Sequence, residues 1–289
     1  MASSFAAKSG DTGRLVDIVG LTTAQDCGGF QETDVESDIS GPDSLEDVVR
    51  FGYLDPPESE ALVAALEELV MLDALDENGK VTASGRLLAQ CPLVPNLGLV
   101  LLDACELGCG EAVVTILSML SVETIFFVPS EHREAFHRIR KTFVHPSGDH
   151  LTLLAVYEAY TSRRGDPHWC REHFIDVKSM QQVVDIRNQL VAFCEHHKLA
   201  LRNNREPECI LSAFTRGSLM RIALKQPDAT YRTIIGDFDG IIHPASVLSA
   251  LPPGQKPEVI IFHELVQTSK RFMRTVSMLP PSCITARLQ

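Results

Sequence analysis

The 289-residue chain has no CxxC pair among its eight cysteines, only one tryptophan, and no apolar stretch of the roughly 18 residues that a membrane-spanning helix needs. Its first residues, MASSFAAKSGDTGRL, lack the apolar centre of a secretory signal peptide. Without a paired spacing, Cys27, Cys91, Cys105, Cys109, Cys170, Cys194, Cys209 and Cys283 are expected to be reduced thiols, several of them inside apolar helical patterns. Glycine-rich phosphate loops are missing as well. There is no GxxxxGK(S/T): Gly79-Lys80 is the sole Gly-Lys and has no glycine upstream at the required spacing. Without such a loop, nothing in these residues is expected to cradle nucleotide phosphates or hold Mg²⁺. No serine sits in GxSxG, which removes the usual nucleophile elbow.

What is present describes a globular chain. A hydrophobic content of 45% and a mean hydropathy of +0.04 suit two or three domains with real cores. The net charge of −12 is unevenly spread: residues 1–90 hold 18 acidic and 5 basic side chains, while residues 210–289 hold 9 basic against 5 acidic. The last region thus carries a mild version of a phosphate-binding footprint that the overall charge hides.

Four regions follow from the patterns. Residues 1–44, rich in Ser, Gly, Asp and Thr, read as an acidic and mobile leader. Over 45–93, Leu62, Ala65, Leu66, Leu69 and Val70 recur at helical spacing behind Pro56-Pro57, Asn78-Gly79 signals a two-residue hairpin turn between Leu75 and Val81, and ASGRLLAQC returns to helix. Helix, hairpin, helix is the layout of a winged helix. Residues 94–208 give amphipathic segments near 95–107, 110–121, 130–142, 149–162 and 179–198, a helical bundle. Residues 209–289 turn to β: MRIALKQ, YRTIIGDF, GIIHPASVL, PEVIIFHELVQT and RFMRTVSML are five short strand patterns broken by Pro and Gly, which suggests a small barrel of the OB type. The expected fold is multidomain α+β: winged helix, α-helical bundle, five-stranded OB-type barrel.

Few residues carry chemistry. FVHPSGDHLTLL groups His145, Asp149 and His150, but the intervening Pro and Gly imply a turn and no further ligand has metal-site spacing. Asp149 instead stands where the apolar period of Leu151, Leu154 and Val156 begins, so its expected role is a helix N-cap. GCGEAV lacks the third glycine of a dinucleotide fingerprint, Cys105 and Cys109 have no histidine pair, and His196-His197 suit the negative end of a helix. Trp169 in HWCREHF could stack a base, although a core anchor beside Cys170 and Phe174 is the better reading. The strongest candidates are Thr268, Ser269 and Lys270, where a strand pattern is interrupted, with Arg271 and Arg274 just after them; short donors and cations together suit phosphate oxygens. Arg221 and Lys225 on the first strand pattern are weaker choices.

Taken in order, LDPPESEALVAALEELVMLDALDENGKVTASGRLLAQCPLVPNLGLVLL, ILSMLSVETIF, HPSGDHLTLLAVY, WCREHF, IRNQLVAF and VIIFHELVQTSKRFMRTV resemble the C-terminal half of the DEAH-box RNA helicases. The resemblance covers about 235 residues, from roughly Leu45 to Pro281, through winged-helix, ratchet and OB regions in the family's order. It implies a nuclear, intracellular setting in spliceosomal or ribosomal RNA–protein particles, an OB region lining the exit of an RNA channel, and a ratchet region in which Asp149 belongs to no metal site. It also implies single-stranded RNA, the helicase motor domains and a G-patch activator as partners, and no membrane. ATP and Mg²⁺ belong, by the same resemblance, to two upstream motor domains whose phosphate loop and D-E-A-H segment have no counterpart here. This chain by itself is therefore expected to bind no cofactor and to hydrolyse no ATP. The alternative is a motor-less adaptor that binds RNA or a G-patch protein without catalysis.

Overall fold

A computed structural model of the chain describes residues 59–127 and 130–285; the expected leader at 1–44 lies outside them. The chain separates into two compact units, one ending at Leu99 and one beginning at Val100.

In the first unit, α1 (Ser59–Met71) buries Ala65, Leu66 and Leu69 at helical spacing, while Val70 is left exposed. The hairpin that follows is a single antiparallel bridge, Leu75 to Val81. Its turn differs from the two-residue form expected. Asp76 carbonyl accepts from Gly79 N–H and Asp76 N–H donates to Lys80 carbonyl, both at 2.9 Å, so Glu77 and Asn78 occupy the corners. Gly79 follows in the left-handed region at φ 73. That is a turn closed by a glycine bulge, which needs the same Asn-Gly pair one position later. The Asp76 carboxylate accepts from Asn78 and Lys80 N–H groups, which holds its pKa below the usual carboxylate value, the Lys80 bond first. Thr82 then caps α2 (Ala83–Gln90) by accepting from Gly85 N–H at 2.9 Å. Gly85 has to be glycine, because a Cβ there would lie 2.2 Å from the Ala74 carbonyl oxygen.

The helix α3 (Pro95–Leu107) runs across the division at Leu99. In the second unit, α4 (Gly110–Leu120) is buried from Ala112 to Met119 and packs on α6 (Asp149–Ser162) and α8 (Val177–His196). A helix buried along nearly its whole length is central to its bundle. Its one polar flank is held by Arg187, which ion-pairs with Glu111 and donates to Thr115 Oγ1 at 3.0 Å. α9 (Pro207–Gly217) also packs on α4, and the bundle further holds α5 (Arg133–Arg140) and α7 (Pro167–Glu172, capped by Asp166). Met119, Val156, Tyr160, Cys170, Ile175, Met180 and Val183 form the bundle core. Trp169 packs half-buried against that core, edge-on to Phe143 and stacked on His173 at 4.1 Å.

The five strands are β1 (Ile222–Lys225), β2 (Tyr231–Thr233), β3 (Asp239–Ile242), β4 (Val259–Gln267) and β5 (Arg271–Met278), closed in the order β1-β2-β3-β5-β4. All pairings are antiparallel except β3 with β5. Ala223, Tyr231, Ile242, Ile260, Phe262, Met273 and Val276 fill the interior. The third expected strand is cut short: Pro244 cannot continue a ladder, and Val247–Ala250 winds into a 3₁₀ turn capped by Ser246. A short α10 (Pro281–Thr285) packs on α9.

Candidate nucleic-acid interface

The barrel presents its predicted binding residues at three places. Thr268, Ser269 and Lys270 form the exposed tip of the β4–β5 hairpin, where Thr268 N–H donates to Lys270 carbonyl at 2.9 Å. Arg271 pairs across the ladder with Gln267, to whose Oε1 its Nε donates at 3.2 Å, and its guanidinium lies 5.2 Å from the centroid of the Phe238 ring. Arg274 sits three residues further along β5 and is joined to Glu264 on β4 at 3.2 Å.

The two weaker candidates lie elsewhere. Lys225 is beside Glu258, with Nζ to Oε1 at 2.9 Å, next to the β1–β4 pair Leu224–Val259. Val259 opens β4 and Gln267 ends it, so a strand rise of about 3.3 Å per residue puts Lys225 roughly 26 Å from the tip. Arg221 precedes β1 and lowers the pKa of His263 on β4, second to burial, which together take it down to about 4. The candidates therefore do not form one patch. Among the described residues only Lys270 and Arg271 of the cations at the β4–β5 end form no ion pair within 4 Å, although, after the Arg232 hydrogen bond, the Arg271 charge helps to lower the Asp239 pKa, whereas Arg274, Lys225 and Arg232 are each paired with an acid. Sequence reasoning missed Phe238. It ends an expected strand, and only the parallel β3–β5 pairing, Ile241 opposite Phe272, carries the β2–β3 turn to the β4–β5 tip.

The other end of β5 corrects the role of Asp149. Gly148, not Asp149, is the N-cap residue of α6, and the Asp149 carboxylate makes no bond to its own helix. It is 7% exposed and accepts from Val247 N–H at 2.9 Å and Val276 N–H at 2.7 Å, both on the barrel. Thr275, just before Val276, adopts φ 52, a conformation costly for a β-branched residue. Burial raises the Asp149 pKa, against the opposing pull of its hydrogen bonds and of Arg140.

His150 is fully enclosed beside it. Ser277 Oγ accepts the His150 backbone N–H at 3.1 Å and lies 2.8 Å from Nδ1, so the hydroxyl proton is free to donate to a neutral imidazole. Burial first, and His263 second, push its pKa down to about 3. Gly148 completes the contact at φ 120, bridged to Ser277, where a Cβ would meet Ser277 Cα at 2.4 Å. His145 Nδ1 accepts from Ser147 N–H at 3.2 Å. The three polar residues of the motif thus serve separate bonds, and two of them fasten the bundle to the barrel.

Three family descriptions match along the chain: the winged-helix part of the helicase-associated domain (HA2) at residues 65–93, its ratchet-like part at 94–153, and an oligonucleotide/oligosaccharide-binding fold at 210–286. The chain is 37% identical over 239 residues to the pre-mRNA-splicing factor ATP-dependent RNA helicase prp22 of Schizosaccharomyces pombe, covering 82% of this chain and 20% of that protein. It is 33% identical over 237 residues to the probable ATP-dependent RNA helicase DHX35 of Homo sapiens, covering 81% of this chain and 33% of the relative. The chain therefore spans about a fifth to a third of the length of these curated relatives. It carries HA2 winged-helix, HA2 ratchet-like and OB-fold domains, and over most of its length it is homologous to the DEAH-box RNA helicases.

Proposed function

We propose that this chain works as the C-terminal accessory module of an ATP-driven RNA helicase, holding single-stranded RNA against motor domains during remodelling of nuclear RNA–protein particles. The observation that carries the reading is homology to a splicing helicase across 82% of the chain, through all three accessory domains. In this reading residues 45–93, 94–208 and 209–289 act as the winged helix, the ratchet and the RNA-facing barrel. The β4–β5 tip supplies the backbone contact, Lys270 as a point charge and Arg271 as a planar donor, with Thr268 and Ser269 hydroxyls beside them. Such contacts read phosphates rather than base edges, so little sequence preference is expected. ATP and Mg²⁺ are handled by the motor domains, and a G-patch protein docks on the winged helix.

The test is a fluorescence-anisotropy titration of single-stranded RNA at several salt concentrations, on the parent chain and on Lys270→Ala/Arg271→Ala. Binding is expected to weaken for all sequences alike in the double variant, and the salt slope to flatten by up to about two phosphate contacts. Equal affinity and equal slope in both proteins would remove the tip from the reading.

A further inference from the structure

The β2–β3 turn and the β4–β5 tip come from segments about 30 residues apart, and neither belongs to a recognisable binding motif alone. Phe238 is 43% exposed at the end of that turn, an unusual place for a ring that a barrel interior could have used. The turn holds it firmly: Phe238 N–H donates to Thr233 Oγ1 at 2.9 Å, and Thr233 N–H donates to Phe238 carbonyl at 3.0 Å. Gly236, at φ 80, passes so close to the ring that a Cβ would lie 2.7 Å from it. The Arg271 guanidinium lies over this ring at 5.2 Å, and Gln267 fixes its Nε. Among the described residues its two Nη groups make no hydrogen bond.

The acids flanking the ring are accounted for. Arg232 engages Asp239 through two bonds of 2.8 and 3.1 Å and stands 3.6 Å from Asp237. One guanidinium thus faces two carboxylates, and the charge of Arg271, which after the Arg232 hydrogen bond also helps to lower the Asp239 pKa, balances the remainder beside the tip. What faces outward is an aromatic ring, a planar cation with spare donors, an ammonium and two hydroxyls.

We infer that Phe238 and Arg271 form a stacking platform for one unpaired nucleobase of single-stranded RNA, with Lys270 taking the adjoining phosphate. The inference deepens the RNA-holding reading and rests on it. Stacking on an aromatic or guanidinium plane tolerates any base, because every base has a π-face. It requires the base to be unpaired, so it gives the barrel a preference for single strands that phosphate contacts alone do not give. Phe238 also orients Arg271, since a ring under the guanidinium favours a flat arrangement and leaves its edge donors for the RNA.

The experiment compares two oligoribonucleotides of about ten nucleotides, within the usual site size of such folds. One is ordinary single-stranded RNA and the other has abasic riboses throughout, so that it keeps the phosphates and loses the bases. Anisotropy titrations use the full 289-residue chain and the variants Phe238→Leu, Phe238→Tyr and Lys270→Ala. Phe238→Leu is expected to weaken binding of the ordinary RNA about tenfold, a typical stacking loss, and to leave the abasic strand unchanged. Phe238→Tyr should bind as the parent does. Lys270→Ala should weaken both strands by the same factor. Phe238→Leu binding ordinary RNA as tightly as the parent would overturn the platform, as would an equal loss on both strands, while a persistent Lys270→Ala effect would leave the RNA reading standing. If the parent chain bound neither strand, both readings would fall.

Discussion

The two ends of the β4–β5 hairpin are built from the same pair of strands and have opposite characters. At the end where β5 runs out, Val276, Ser277 and Met278 spend their polar groups on the bundle: Asp149, His150 and Ser147 take them, in a contact with no room for a side chain on Gly148. At the tip, Thr268, Ser269 and Lys270 are exposed, and among the described residues the bonds there run from Thr268 to the Lys270 carbonyl. Four residues of β5, Phe272 to Thr275, separate a buried junction from an exposed tip. Buried polar groups must be satisfied on the spot, so the junction is costly to alter; exposed donors are satisfied by water and are available for exchange with a ligand. The same strands thus anchor the barrel at one end and offer a surface at the other.

The sharpest way to break this contrast is to remove the junction's carboxylate. Asp149→Ala leaves the buried Val276 N–H and the half-buried Val247 N–H without an acceptor, and bonds to a charged acceptor contribute about 1.5–3 kcal/mol each. A loss of about 3 kcal/mol is expected in denaturant unfolding, with amide exchange rising first at Val276 and Val247. A loss near 1 kcal/mol, the usual cost of an N-cap, would mean that the barrel contacts add little.

A smaller effect comes through pH. His150 and His263 have folded pKa values near 3 and 4, below the 6.5 of the free side chain. Their unfolded forms therefore bind more protons between pH 6.5 and 4, and stability falls as pH falls through that window. His145, His197 and His243, all lowered chiefly by burial, act in the same direction. Asp149 acts in the opposite direction. Its raised pKa lets the folded state take up a proton before the unfolded state does, so it offsets part of the loss as pH drops towards 3.8. Each buried histidine adds a slope of at most about 1.4 kcal/mol per pH unit. His150→Asn, which keeps an acceptor near Ser277 Oγ, should lower the measured slope by about one proton. An unchanged slope between pH 6 and 4.5 would show that His150 is not held neutral.

How far this contrast could be read beforehand depends on which contacts are local. The bundle helices and the five strands announce themselves by period, as Leu151, Leu154 and Val156 do on α6, because helix and strand patterns lie within one segment. α7 escaped, since six residues are too few for a period, and so did α9, where Ile210, Leu211, Ala213 and Phe214 stand in a region expected to be turning towards strand. Asp149 was read against its neighbours in the chain, while its true partners stand 98 and 127 positions away. Likewise the acids that match Lys225 and Arg274 become visible only once strand register is fixed. The place of Lys270 and Arg271 at a hairpin tip is legible because a tip is made of consecutive residues; that of Phe238 is not, because it reaches the tip through the β3–β5 pairing.

The smallest expected effect belongs to the tip and is the most discriminating. Lys270 is exposed and unpaired among the described residues, and Arg271 gives up one bond to Gln267 and one contact with an already exposed ring. Surface substitutions away from caps and buried networks usually change stability by no more than about 0.5 kcal/mol. Lys270→Ala/Arg271→Ala should therefore unfold at nearly the parent's denaturant midpoint, with the same m-value, while losing RNA affinity. The comparison with Asp149→Ala then separates the two ends of the hairpin by two independent measurements, one losing stability and the other losing binding. If the tip variant lost 2 kcal/mol or more, Arg271 would be holding the β2–β3 turn in place through Phe238, and its effect on RNA would be a consequence of that support rather than of contact.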